Sequence, residues 1–189
     1  MEILFVLSAI CLVLFMILAT YDGAYLHIWK YELFNQKDSV FEHKTHTIRA
    51  VLFPLIVWLL FIQTDYFSFL LGVFLVLVDL VVLAIDAYSE KDSRKFMGGL
   101  PKWEYIIHLF ANAFHFAAIV LILATRLTIV DDTLLYEPFL VDSIGKQIFD
   151  FVAVNTIPGG IALGVIHVLL ITGYGKNLWN INRLKMTCC

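Results

Sequence analysis

Residues 66–90 read YFSFLLGVFLVLVDLVVLAIDAYSE. The stretch is long enough to cross a bilayer, for which a helix needs ~20 predominantly apolar residues. It carries only three charges, Asp79, Asp86 and Glu90. Apolar residues do not alternate with polar ones, as they would along a barrel strand. Backbone groups in lipid must bond internally, so the stretch reads as a membrane-spanning helix.

Similar runs lie on either side of it. They predict an all-α integral membrane protein, one bundle of about five transmembrane helices over residues 2–34, 39–63, 66–90, 101–126 and 148–174. The composition agrees: 61% of the 189 residues are hydrophobic and 15% charged, with a mean hydropathy of +0.86. The first run has no early basic residue, only Glu2, and is read as a retained span and not a signal peptide. Cys11 lies in that run and Cys188 and Cys189 at the C-terminus, which is no disulfide framework. Gly98-Gly99-Leu100-Pro101 reads as a turn opening the fourth helix. A polar, acidic connection with Asp131, Asp132, Glu137 and Asp142 follows that helix. Pro158-Gly159-Gly160 predicts a kink or break in the fifth helix.

Lysine and arginine set the orientation. Eleven of the thirteen fall in the connections between helices one and two and between three and four, or in the tail; Arg126 and Lys146 are the exceptions. The basic side is therefore expected to be cytoplasmic, with the N-terminus outside and the C-terminus inside. No basic block points to nucleic acid.

All six histidines, His27, His43, His46, His108, His115 and His167, fall in the cytoplasmic half of this scheme. Ionisable groups inside spans are costly and tend to face the bundle interior or mark a functional path. Residues four and seven apart share a helix face. Glu42, His46 and Arg49 form one such stripe; Asp79, Asp86 and Glu90 a second; Glu104, His108 and His115 a third. His115 lies ~10 Å deeper than His108, and Asp79 about as much deeper than Asp86. Two layers follow, with Asp86 level with His108 and Asp79 level with His115.

Mixed carboxylate and imidazole donors suit iron, zinc or manganese. The expected ligands are Glu42, His46, Asp86, Glu104 and His108, with Asp22, His27 and Glu90 as additional candidates, around one metal or two. Glu42-x-x-x-His46 and Glu104-x-x-x-His108 repeat one pairing on two helices. The soluble di-iron carboxylate bundles space theirs by three, so the likeness is one of principle. The His-Glu-x-x-His of zinc proteases and the histidine boxes of membrane desaturases are both absent. Asp79 and His115 are read as a catalytic proton relay, and Arg49 and Arg94 as holders of an anionic headgroup.

Each residue also has a plainer reading. Glu42, His43, Lys44 and Glu90 lie near the expected water boundary, where charge is cheap, and His27 on an exposed helix end. His167 reads as a hydrogen-bonded packing residue. Trp29, Trp58, Trp103 and Trp179 read as interface anchors or lipid-facing packing. The run from Asp22 to Pro54 loosely resembles bacterial membrane proteins of unassigned role, a resemblance that implies no function.

Together these readings favour a metal-dependent membrane enzyme of a bacterial inner membrane, acting on a lipid or other hydrophobic substrate. Its reaction is hydrolytic or oxidative, and its oligomeric state is left open. The alternatives are a proton- or ion-coupled transporter, a haem-binding subunit and a structural subunit without chemistry. The topology makes the first prediction. In a cysteine-free background, Lys37→Cys should react with an impermeant maleimide only once cells are opened; labelling of intact cells would invert the orientation.

Overall fold

The computed structural model describes residues 2–139 and 143–187. Asp142, Cys188 and Cys189 lie outside the described residues. Five helices are long and apolar enough to cross a membrane: α1 (Glu2–Lys30), α2 (Val40–Ile62), α3 (Tyr66–Met97), α4 (Lys102–Arg126) and α5 (Ile144–Ile171). A sixth, α6 (Gly173–Thr187), follows from the tail. α1 packs on α4 and α5, and α2 packs on α3 and α5. The ring of neighbours is thus α4, α1, α5, α2, α3, and α3 meets α4 largely through polar side chains across the interior.

Two helices change their winding. α1 is α-helical over Glu2–Ala19 and π-helical over Thr20–Lys30. α2 is α-helical over Val40–Ile56 and π-helical over Val57–Ile62. π-Helical turns bond five residues back and are frequent at functional sites. Here the wider winding ends with Tyr31 N donating to Leu26 O at 2.9 Å and Gln63 N donating to Trp58 O at 3.1 Å.

The expectation of an all-α chain needs one correction. β1 (Leu127–Val130) and β2 (Thr133–Tyr136) form an antiparallel hairpin within the acidic connection, with Val130 opposite Thr133. Asp131 and Asp132 turn it with φ of 48° and 59°. A two-residue hairpin turn with both φ positive matches the right-handed twist of its strands, and Asp tolerates that region better than most residues.

Of the kink or break expected at Pro158-Gly159-Gly160, the break does not occur, because α5 is continuous from Ile144 to Ile171 with Pro158 inside it. The glycines there serve packing. A Cβ on Gly160 would lie 2.9 Å from Phe53 Cδ1, and one on Gly164 would lie 3.2 Å from the Ala50 carbonyl oxygen. Gly160 and Gly164, four apart, thus let α2 close onto α5, as small residues do between membrane helices.

The half of the bundle toward the hairpin is a dry core that includes Phe5, Leu12, Ile56, Leu60, Phe61, Ile119, Ile122 and Phe149. Arg126 closes it. Its side chain is fully buried, and Nη1 donates to the carbonyls of Leu60 and Gln63, both at 2.9 Å. These carbonyls lie at the C-terminal end of α2, where partial negative charge collects and the last acceptors lack helical partners. The guanidinium also bonds the Tyr136 hydroxyl, and its Cζ lies 4.4 Å from the Phe139 ring centroid.

Arg126→Ala strands a buried carbonyl and a part-buried one and should destabilise the protein by about 2–4 kcal/mol. Arg126→Lys should lose less, since one ammonium reaches some of these acceptors. Unfolding midpoints in detergent check this, and an unchanged midpoint for Arg126→Ala would show that the hairpin is not fastened through this residue.

Candidate metal centre

The polar half of the bundle is assembled from five elements. The π-helical part of α1 brings Asp22 and His27 to one face, with His27 Nε2 3.3 Å from Asp22 Oδ1. Five residues separate them, the step that π winding aligns. α2 carries Glu42 and His46 one turn apart, their facing atoms at 3.8 Å. α3 presents Asp79, Asp86 and Glu90, and Arg94 near its end. α4 presents Glu104, His108 and His115. α5 adds His167, which lines the same central cavity.

Arg94 stands in the middle of the outer layer with no exposed surface. Nη1 donates to Glu42 Oε2 at 2.6 Å and to Ser93 Oγ at 3.0 Å. Nε and Nη2 donate to Glu104 Oε1 at 2.9 and 2.5 Å, and Nη2 also donates to His27 Nε2 at 3.1 Å. Expected to hold an anionic headgroup, Arg94 has its donors on protein groups here and is not among the residues that line the cavity. Arg49 does line it.

Around this arginine, His108 lies between two carboxylates. Nδ1 is 2.9 Å from Glu90 Oε1, and Nε2 is 3.0 Å from Asp22 Oδ1. His46 Nε2 is 2.9 Å from Asp86 Oδ2, though not in hydrogen-bonding alignment. Thr45 Oγ1 donates to Asp86 Oδ1. The expected level pairing of Asp86 with His108 thus becomes two pairings, Asp86 with His46 and Glu90 with His108. The reason is reach: Glu90, on the turn after Asp86, has the longer side chain.

The inner layer is simpler. Asp79 lies 3.3 Å from His115 Nε2. Arg49 Nε donates to Asp79 Oδ1 at 3.0 Å, and its Nη2 donates to Asn112 Oδ1 at 2.9 Å. Phe15 and Phe53 pack on the His115 ring at centroid distances of 4.7 and 6.0 Å. Arg49 neutralises Asp79, so this layer carries no net charge.

Several residues read as interfacial are buried. Glu42, His27, His43 and Glu90 expose between 0% and 7% of their surface. His43 stands apart from the ligand cluster, stacked on His167 at 5.0 Å with its Nε2 3.2 Å from the His167 carbonyl. Sequence reasoning missed Asn112 and Thr45, neutral residues that ionisable stripes do not reveal.

The outer layer holds five carboxylates, Asp22, Glu42, Asp86, Glu90 and Glu104, against the single guanidinium of Arg94. Glu42 Oε1 and Glu104 Oε2 are buried with no hydrogen-bond partner. Such oxygens are expensive to bury unless a cation or proton meets them. Donor atoms of Asp22, His27, Glu104 and His108 lie within 4.8 Å of one another, as do those of His27, Glu42 and His46. The two groups share His27, whose Nε2 faces both Asp22 and Glu42 at 3.3 and 3.8 Å, so they are alternative positions for one metal ion. The orphaned oxygens and the mixed donor set fit a divalent cation. Glu90 on His108 Nδ1 supplies the outer carboxylate that orients a ligating imidazole.

The cavity beside this cluster has a volume of about 110 Å³, room for several waters or the end of an apolar chain. Its lining mixes polar groups of both layers, Asp22, His46, Asp86, Glu90 and His108 and then Arg49, Asp79 and His115, with apolar Phe15, Met16, Ala19, Phe53 and Leu163. The chain matches no protein-family model, no curated protein and no solved structure.

Proposed function

We propose that this chain is a metal-dependent membrane enzyme acting on a lipid or other hydrophobic substrate. Its centre would lie near the cytoplasmic face of a bacterial inner membrane. The observation that carries the reading is the buried convergence of five carboxylates and three imidazoles on one guanidinium, with two carboxylate oxygens unpartnered. One divalent ion would offset two of the remaining four negative charges. Asp22, His27, Glu104 and His108 would hold it, or His27, Glu42 and His46 in the alternative position. Iron, zinc or manganese there would polarise a substrate oxygen or activate water or oxygen.

The protein's own groups have separable tasks. Arg94 holds Glu42 and Glu104 in place and Glu90 orients His108 through Nδ1, while Asp86, 2.9 Å from the same His46 Nε2 that faces Glu42, is a further carboxylate beside that group. Arg49 faces the cavity and offers a positive charge to an anionic group arriving there. Asp79 and His115, 3.3 Å apart, are placed to pass a proton between the cavity and the inner layer. Aromatic rings around His115 keep that step out of water.

A second reading has a specific observation behind it. Arg94 Nη2 already occupies the space toward which His27 Nε2 and Glu104 Oε1 point. A network of protonated histidines and arginine without metal would satisfy many of the same groups. Transport is less favoured: α5 is unbroken, and the far half of the bundle is an apolar core. Haem is less favoured as well, since the His27 and His46 rings meet edge-on at 4.1 Å and leave no slot between them.

Elemental analysis of protein purified without chelator should find at least one equivalent of iron, zinc or manganese per chain. His27→Ala should lose the most, because both ligand groups include it, and His108→Ala should lose part. A folded wild-type protein without metal, or full occupancy in both variants, overturns the assignment.

Chelation separates the metal centre from the bare network. Removing a ligand present at a hundredfold excess over its dissociation constant costs about 2.7 kcal/mol of apparent stability. The unfolding midpoint should therefore fall on chelation and recover when metal is returned. A midpoint indifferent to both steps would favour the network.

A further inference from the structure

A shallow groove runs along the outside of α1 where it meets α5. It is lined by Val13, Ile17, Tyr21, Ala24 and Tyr25, with Thr156 from α5. Met16 and Thr20 line this groove and also line the central cavity. At this level, therefore, only those side chains separate the surrounding medium from the interior. α5 contributes no side chain opposite them, because the facing residue is Gly159: a Cβ there would lie 3.6 Å from Met16 Cε. Toward the start of both helices the seam is tight, where a Cβ on Gly145 would fall 2.7 Å from the Glu2 carbonyl oxygen; at Gly23 a Cβ would fall 3.4 Å from Leu163, an ordinary contact like that at Gly159.

We propose that the Met16–Gly159 seam is a lateral portal through which one acyl chain of a bilayer phospholipid reaches the central cavity. The proposal deepens the enzyme reading and rests on it for what the chain meets on arrival. Both walls belong to helices of membrane-spanning length and apolarity, so the medium outside the groove is the hydrocarbon of lipid tails. Methionine is unbranched and flexible, a side chain that swings aside at little cost. Inside, Phe15, Ala19, Phe53 and Leu163 continue an apolar path. Asp22 lies six residues beyond Met16, on the order of 9 Å along the axis, so a tail passing the seam ends near the ligand cluster. Tyr21 and Tyr25, their ring centroids 5.3 Å apart and the planes tilted by 32°, are nearly half exposed and mark the groove's end toward the headgroups, where amphipathic rings settle.

The test uses the full chain in vesicles of phosphatidylcholine doped with the same lipid bearing a diazirine near the acyl terminus. After irradiation, adducts are mapped by mass spectrometry and metal content is measured on the same samples. Wild type should carry adducts at Phe15, Phe53 or Leu163 as well as at the outward Val13 and Ile17. Met16→Trp and Gly159→Leu should each reduce the interior adducts at least about fivefold, since one large side chain fills a passage of single-chain width. Adducts at Val13 and Ile17, and bound metal, should stay as in wild type. Labelling confined to the outer residues, or interior labelling that neither substitution changes, overturns the portal. So does shielding of Val13 and Ile17 by a second copy of the chain. Interior labelling in a protein without metal keeps the portal and removes the enzyme reading; metal without interior labelling does the reverse.

Discussion

The guanidinium of Arg94 is the contact on which the polar half of this protein depends. It stands near the end of α3 and reaches Glu42 on α2, Glu104 on α4 and His27 on α1. Four helices therefore meet at one side chain, in a region with little access to water. A lysine there would supply the charge but not the fork, because a guanidinium presents five donors in fixed directions. The arrangement offsets only part of the negative charge it gathers. Burying ions is costly even in good geometry, and an apolar interior would be the cheaper way to join four helices. An excess of carboxylates around a satisfied arginine, with oxygens left over, is therefore read more readily as a site than as a scaffold.

Much of the spanning pattern was legible because hydrophobic run length is a strong signal. The stripes on α2, α3 and α4 were legible for a related reason. Glu42, His46 and Arg49 recur at α-helical spacing and α2 is α-helical there, so all three face inward together. Asp22 and His27 were harder. At 100° per residue, two positions five apart lie about 140° from each other, which reads as two faces. The π-helical winding of Thr20–Lys30 places them side by side, and no composition rule announces such a change of winding. The burial of Arg94 was hidden by its neighbours. Lys91 and Lys95 are exposed and made the cluster look like a surface loop, yet Arg94 follows Glu90 by four residues and continues the stripe of Asp86 and Glu90.

The hairpin and the glycines of α5 show two other limits. Leu-Thr-Ile-Val and Thr-Leu-Leu-Tyr flank Asp131-Asp132 at hairpin spacing, but two acidic residues more readily suggest a solvated loop. Pro158-Gly159-Gly160 looked like a break because proline removes a backbone donor and glycine lowers helix propensity. In a membrane bundle the local cost is set against close approach of a neighbouring helix. Gly160 and Gly164 meet Phe53 and Ala50, a contact on another helix that a reading of α5 alone does not include.

The two ends of the bundle treat buried charge in opposite ways, and the contrast bears on function. Arg126 spends its donors on neutral acceptors, the last carbonyls of α2 and a tyrosine hydroxyl. Its charge is met by helix-end dipoles and aromatic faces, and few titratable groups are involved. That is how a buried cation serves a purely structural closure. Arg94, by contrast, is surrounded by Glu42, Glu104 and His27, groups that could hold a metal, and their neighbours Asp22, His46, Asp86, Glu90 and His108 border the central cavity. If closure were the only requirement, the Arg126 solution would have served at both ends with less charge buried. The polar half instead keeps five carboxylates and three imidazoles in or beside a cavity that Phe15, Met16, Ala19, Phe53 and Leu163 also line. That mixed lining is the ground on which the proposed reaction at an apolar chain rests.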